Sequence, residues 1–533
     1  MKLFSRLLVY LVVACVVAVA GLSGGRQTVM ATQITNPCTG PGIQSVSLTP
    51  VMPTAFSSLA KTQVGANCLA WQEFIDLNWQ ADPKQPGVAD QKVPGSAFGE
   101  PGNVNPTVWE SYLEATDVFR SAILKSDLIG RNSIKSTAQT IWRRPRPPLK
   151  TLSGLSKLGD TSIQLSSVTQ ADGGWLTSQS GDLAFYEIKI NQDEYEFITT
   201  NVFNGNDLTT FAGQAACASQ PGMNGRGGFN LPAGNNSGNQ DTDCQGKNAK
   251  YGQDVGSIEV KASWVVLPAD GSLNYRYKIS QAEIKDPFGN KTNATVGLAG
   301  LHIIHKLPGA PQFIWATFEQ IDNSPDDNNG HPGPPILPPN ANQKQQSSVF
   351  SFFNTACTIS NDQVYKCIPN IQPGPPCPAN GPVPTGCTPY SAPMQVTRLT
   401  PVQCDANNVT AYAWSLMPNK SVFNYYRLID VQWPNAPTPV APGTTTNNMP
   451  AGDITPNPIT RFVANTTMET FVQTKQSCMS CHQVAPIAQA QQQSKTLRGG
   501  VPTLKVILSL NPRAANSLPA SDYSFIFAAE TIK

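Results

Sequence analysis

Histidine is almost absent from this chain: His302, His305, His331 and His482 are the only four among 533 residues. Charge is scarce as well, at 14% of residues. The formal net charge is +2, and residues 1–31 contribute Lys2, Arg6 and Arg26 with no acidic residue. Without that stretch 34 basic residues face 35 acidic ones, a net of −1. A balance this close to zero argues against nucleic acid or an anionic membrane as partner. Long apolar runs are missing too. The one candidate, Leu7 to Ala20, has fourteen residues, short of the ~20 that a spanning helix needs.

Preceded by Lys2 and Arg6 and followed by small residues at Ala18-Val19-Ala20 and near Ala31, that run reads as a secretory signal over residues 1–31. The mature chain is therefore expected to be soluble, without a transmembrane helix, in the periplasm or outside the cell. Other signatures fail. The loop Gly222 to Gly228 is glycine-rich but has no G-x-G-x-x-G after a strand, so it gives no nucleotide site. Asp322 to Gly330 lacks the alternation and terminal glutamate of a calcium-binding EF-hand loop and reads as a solvated turn.

Against these absences stands Cys478-Met479-Ser480-Cys481-His482. It is C-x-x-C-H, the attachment signal of a c-type haem. Cysteines three apart share one side of a helical turn, where each thiol can form a thioether to a haem vinyl group. His482 then supplies the proximal iron ligand. A thioredoxin-like redox pair would want a βαβ context, and a zinc site a second ligand pair, neither of which is found. A disulfide between Cys478 and Cys481 is the plain alternative in an exported chain.

No methionine follows His482, which excludes the downstream methionine ligand common in small cytochromes. A sixth ligand must come from upstream or be absent. The candidates are His302, His305, His331 and the methionines of the body, Met468 among them. His302 and His305 lie in the apolar run Thr295 to Leu307, and on a strand residues three apart face opposite ways, so only one can address a given haem. His302 is favoured, with Val296, Leu298, Gly300 and Ile304 expected on its face. The expected iron ligands are thus His482 and His302, and the expected cofactor-binding set is Cys478, Cys481, His482 and His302.

Nine further cysteines follow the signal: Cys38, Cys68, Cys217, Cys244, Cys357, Cys367, Cys377, Cys387 and Cys404. Disulfides are the default after export. Local pairing of Cys217 with Cys244, and among the four spaced ten apart from Cys357 to Cys387, is plausible. An odd count predicts one thiol left over, or paired between chains.

Abundant proline (46) and glycine (41) favour strands joined by turns and loops over a helical bundle. Helices are expected over Leu69–Trp79, Val108–Phe119 and near Asp193–Phe203. Strands are expected at Ile163–Leu165, Ala184–Ile190, Ile258–Leu267, Tyr275–Ile284, Thr295–Leu307 and Gln312–Gln320. Fifteen prolines from Pro325 to Pro393 mark the most loop-like part. Short elements resume near Met394–Leu399 and Val422–Val431. Thr466-x-x-Glu469 is a capping-box pattern that should start a helix towards Cys478. The chain is read as α+β: a strand-rich main domain over residues 32–455 with peripheral helices and long Pro/Gly loops. A C-terminal helical haem segment over 456–533 packs on it. That segment has seven basic against three acidic residues from Arg461 onward, which reads either as scattered solvated charge or, more sharply, as a docking face for an acidic redox partner. Its aromatic tail, Tyr523 to Phe527, is placed either to cover a haem face or to dock the C-terminus.

The phrases FIDLNW, VWESYLEATDVF, VGLAGLHIIHK, FIWATFEQIDN, SCMSCH and DYSFIF, spread from about residue 69 to 527, resemble large exported single-haem bacterial proteins labelled "cytochrome c family protein". The resemblance implies one covalent haem c and an exported chain, but no particular reaction. Electron transfer with a redox partner protein or a small-molecule donor or acceptor is the leading expectation. A haem enzyme of peroxidase or oxygenase type, with an open sixth position, is the alternative, and a haem with a structural or sensing role is a third.

Overall fold

The computed structural model describes residues 34–57, 62–120, 138–139, 141–143, 149–153, 174–220, 230–236, 238–310, 312–328, 331–333, 336, 350–357, 367–378, 384–433, 462–475, 477–478, 482, 522 and 524–528. The signal expected at 1–31, the strand expected at Ile163–Leu165, the Gly222 to Gly228 loop and Cys481 lie outside these. The unit described here falls within Asn36–Lys533.

Its strands are β1 (Leu113–Glu114), β2 (Lys150–Ser153), β3 (Phe185–Ile190), β4 (Ile258–Val266), β5 (Ile279–Lys285), β6 (Lys291–His305), β7 (Ile314–Gln320), β8 (Asp327–Asn328), β9 (His331–Pro332) and β10 (Tyr426–Gln432). The helices are α1 (Gln63–Leu77), α2 (Ala115–Arg120), α3 (Gln192–Thr200), α4 (Phe211–Ala218) and α5 (Cys404–Leu416). Eight strands make one sheet in the order β1-β3-β4-β6-β5-β2, with β7 also on β6 and β10 on β7. The fifteen-residue β6 is its spine. One edge pairs with β4, while the other serves β5 along Lys291–Gly297 and β7 along Gly300–His305. The strand-dominated α+β architecture is as expected.

The sheet curls. Lys150 on β2 reaches Glu187 on β3, Nζ to Oε1 2.8 Å, although β4, β6 and β5 separate those strands. On the inner face the Lys150 ammonium lies 5.1 Å from the Trp109 ring centroid and 4.8 Å from that of Trp264. It also pairs with Glu110 at 3.1 Å, and Lys278 meets the other oxygen of Glu110 at 3.0 Å. Burial favours the neutral form of Glu110, but Lys278 and Lys150 outweigh it and lower its pKa to about 2.

This cluster explains why Val108–Phe119 is not one helix. Glu110 turns inward and accepts from the Thr107 N–H and hydroxyl at 2.8 and 3.0 Å. A 3₁₀ turn at Trp109–Ser111 and strand β1 intervene before α2 begins.

Helix α1 is capped by Thr62, whose hydroxyl accepts from the Gly65 N–H. Fourteen of its fifteen residues are buried, as suits a helix enclosed on all sides. It lies on the inner face, where Trp71 and Phe74 meet Phe318 of β7 at ring separations of 5.1 and 4.4 Å. Helix α5 packs beside it and was not anticipated; neither was α4.

Four disulfides with both cysteines among the described residues hold the loops: Cys38–Cys68, Cys217–Cys244, Cys357–Cys367 and Cys377–Cys387. Closing loops of this size stabilises by about 3 kcal/mol each in the chain-entropy account. Cys404 is disulfide-bonded too, so the expected leftover thiol is not found there. The stretch from Asp322 is no solvated turn either: Asp322 pairs with Arg276 at 2.6 Å, and Asp326 takes Arg427 in a bidentate contact. Met394–Leu399 forms no strand beyond a single bridge at Arg398. No helix among the described residues is long and apolar enough to cross a membrane.

Candidate functional site on the outer face of the sheet

Strand register assigns the two histidines of β6. His302 lies opposite Lys261 and Thr317, and His305 opposite Ile258 and Ile314. They face opposite sides of the sheet, as the period of two requires. His305 is fully buried on the inner face, its Nδ1 2.7 Å from Glu73 Oε1 and its Nε2 2.9 Å from the Val255 carbonyl. Both ring nitrogens are engaged, which removes it from the ligand candidates.

His302 is on the outer face with Gly300 and Ile304. Val296 and Leu298 are not, contrary to expectation. The register between β4 and β6 skips Ala299: Gly300 faces Ser263 and Leu298 faces Trp264. That bulge inserts one residue and shifts the alternation before it, so that Leu298 and Val296 turn to the inner face.

The segment leading to C-x-x-C-H lies across this outer face as a strap. Asn465 Nδ2 donates to Thr317 Oγ1 and to the Phe318 carbonyl, each at 3.0 Å. Thr466 bonds to Glu319, and the Thr467 and Ser263 hydroxyls are 2.6 Å apart. The Tyr186 hydroxyl donates to the Thr467 carbonyl at 2.7 Å. A Cβ on Gly300 would meet Thr467, Ser263 and Asn465 atoms at 2.7 to 2.9 Å, so glycine is what lets the strap approach the strand. Arg398, wholly buried, donates to the Ala464 carbonyl and pairs with Glu319.

The expected helix from Thr466 is instead a run of turns through Lys475. Thr466 spends its hydroxyl on Glu319 rather than on a cap. The Glu469 carboxylate reaches back to the Asn465 N–H at 2.8 Å, one residue earlier than the capping box predicts. Further on, the Cys478 N–H donates to Gln432 Oε1 at 3.0 Å. The His482 ring lies between Trp315 of β7, centroids 5.6 Å apart, and Phe525 of the tail, 5.0 Å away. The tail docks on the body, since Ile526 and Phe527 are buried and Phe527 meets Phe119.

His302 is 9% exposed, and its Nε2 makes no hydrogen bond. Glu469 Oε1 is 3.4 Å from that atom, within ion-pair range but off the direction a hydrogen bond needs. Burial works against the charged form of Glu469, yet His302, Lys261 and the Asn465 N–H hold its carboxyl below the ordinary range. A buried imidazole nitrogen with no hydrogen bond of good geometry and only the Glu469 carboxylate beside it, on the face crossed by the C-x-x-C-H strap, fits an iron ligand. Part-buried Cys478 and His482 on the same strap fit the attachment signal. His331 lies on β9.

Trp315 and Glu469 were missed as site residues. Trp315 was readable only as a strand residue, and Glu469 only as a cap. Among the described residues no group of three His, Cys, Asp or Glu side chains is set to hold a bare metal ion. No family model, curated protein or solved structure matches this chain.

Proposed function

We propose that this chain is an exported c-type monohaem cytochrome that transfers electrons. The reading rests on C-x-x-C-H at Cys478, Cys481 and His482, carried on a strap over the face where His302 Nε2 is buried without a hydrogen bond. Cys478 and Cys481 would hold one haem c through thioethers, with His482 as proximal ligand and His302 as the sixth. Bound there, the haem would supply a one-electron iron couple, with a potential lower for two histidines than for histidine and methionine. Trp315 and Phe525 flank His482 and would limit its ring to one orientation. The likeness to exported cytochrome c family proteins, the signal at residues 1–31 and the disulfides support a periplasmic or secreted location. The partner would be a redox protein or a small-molecule donor or acceptor.

One observation favours a second reading, a haem enzyme of peroxidase or oxygenase type. Glu469 stands beside Nε2, the nitrogen that would have to ligate. A histidine–carboxylate pair over an open sixth position is suited to acid–base work.

Acidic acetone followed by mass measurement tests the attachment. One haem should stay on the polypeptide, and none should remain in a Cys478→Ala/Cys481→Ala double variant. Haem released from the wild-type chain sinks both readings. Visible spectra of the oxidised, reduced and carbon monoxide-treated protein then separate them, because only an open or displaceable sixth position binds carbon monoxide.

A further inference from the structure

At the end of β3 that leads into Asn191 and α3, beside the start of β4, two carboxyl groups meet without a cation between them. Glu259 on β4 is 4% exposed and Glu194 on α3 is 0% exposed. Both oxygens of Glu194 and Oε1 of Glu259 lack any hydrogen-bond donor. The two side chains are close enough to hydrogen-bond one another once a proton lies between them. Lys306 is near but committed: its ammonium is 2.7 Å from Asp522 Oδ2 and 2.9 Å from Asn230 Oδ1. Asp522 also accepts from the Leu231 N–H, and Asp241, which feels Lys306 as well, accepts from the Ala233 and Gly234 N–H groups. With the pair itself counted, four carboxyl groups share this region with one lysine, three more than it can offset. Two bare carboxylates in such a place would each carry the full cost of desolvation plus mutual repulsion.

The pair is tied to the proposed cofactor side by the tail. Ser524 hydrogen-bonds to Glu259, and its neighbour Phe525 is the residue whose ring meets His482. Glu259 also stands opposite Ile304 on β6, which in turn pairs with Trp315.

We propose that Glu194 and Glu259 form a proton-binding site linked to electron transfer, keeping one proton between them and exchanging a second with water as the charge over the sheet changes. The linkage rests on the cytochrome reading above. When an electron arrives from the redox partner, one proton from water joins the pair and makes it neutral; when the electron leaves, that proton returns to water. Burial raises the pKa of Glu194 well above the ordinary value and that of Glu259 to about 7, so the second proton exchanges near neutrality.

Infrared difference spectra of the full chain between pH 5 and 9 test the site itself. Asp76 and Asp193 also have pKa values of about 7, so the pair is identified by variants. Part of the protonated-carboxyl carbonyl band at neutral pH should vanish in Glu194→Gln and in Glu259→Gln. A band unchanged in both overturns the proposal. The midpoint potential of the haem-loaded protein tests the linkage. It should fall with rising pH near neutrality, approaching about 59 mV per pH unit for one proton per electron, and the slope should flatten in Glu259→Gln. An equal slope in wild type and variant overturns the linkage. Should the variants fail to fold, the unmodified protein still decides: a flat potential across the range in which its carboxyl band titrates also overturns it. A chain that carries no covalent haem fails the cytochrome reading instead, and the infrared spectra alone then judge the proton site.

Discussion

His302 and His305 stand three residues apart on one strand, in opposite environments. The inner face at His305 is closed, with a partner for both nitrogens of that ring, and farther along the same face the charges of Glu110, Lys150, Lys278 and Glu187 are paired beside two tryptophans. The outer face around His302 is covered by a strap of turns held through side-chain bonds, and it leaves Nε2 unmatched. A closed set of hydrogen bonds stabilises a fold. An incomplete one, buried and on the face crossed by the strap that leads to C-x-x-C-H, marks the face where chemistry is to be sought.

The sharpest way to break that contrast is to mutate both histidines in turn. His305→Ala leaves the Glu73 carboxylate buried without its partner and should cost about 3–5 kcal/mol in denaturant melts. It should leave the visible spectrum of any folded protein unchanged. His302→Ala should reverse the pattern, with a smaller loss of stability and a low-spin iron turned high-spin. A low-spin spectrum untouched by His302→Ala rules out His302 as ligand, and an iron already high-spin in the wild type favours the enzyme reading.

The strap's dependence on close approach is tested by Gly300→Val. The added atoms collide with Thr467, Ser263 and Asn465, and overpacking of this kind costs about 1–3 kcal/mol. Proteolysis should show the strap cut faster than the wild type's, while the four disulfides remain intact. Unchanged cleavage would mean that the strap is not held by that contact.

Acidity separates regions by sign. Asp76 and Asp193 are pushed by burial from 3.8 to about 7, and Glu259 from 4.5 to about 7. Folded-state values above the unfolded ones mean that the native chain holds more protons. Their contribution is full below about pH 4 and is lost as pH rises towards 7, on the order of 1.4 kcal/mol per pH unit per proton. Glu110 acts oppositely, its stabilisation present above 4.5 and lost as pH falls towards 2. Calorimetry should find the highest Tm near pH 4–5. A Tm that rises steadily from pH 4 to 8 would contradict these burial effects.

The smallest effect should come from the surface. Lys291 and Glu283 are 2.8 Å apart but 61% and 30% exposed, and such pairs contribute about 0–1 kcal/mol. Lys291→Ala should move the denaturation midpoint little. A loss comparable to that of His305→Ala would show that exposure is a poor guide here.

Period-two alternation and β-branched runs sufficed to locate β3, β4, β6 and β7, because both faces of a buried strand leave a local imprint on residue type. Cysteine spacing pointed to local pairing of Cys217 with Cys244 and among neighbours from Cys357 to Cys387, and the structure fixed the partners as Cys217–Cys244, Cys357–Cys367 and Cys377–Cys387. The C-x-x-C-H motif and the opposed faces of His302 and His305 were legible for the same local reason. What could not be read depended on contacts between distant residues. The bulge at Ala299 shows only in pairing with β4, and it alone moves Val296 and Leu298 away from His302. The break in Val108–Phe119 comes from lysines forty and more positions away that draw Glu110 inward. Helix α5 has three alanines but no side-chain cap at its start and no regular apolar period that stood out in the sequence, and it is held by packing against α1 and β10. The outer-face site is of the same kind. Glu469 is a cap by local pattern, and only the strap's course over Gly300 sets it beside His302.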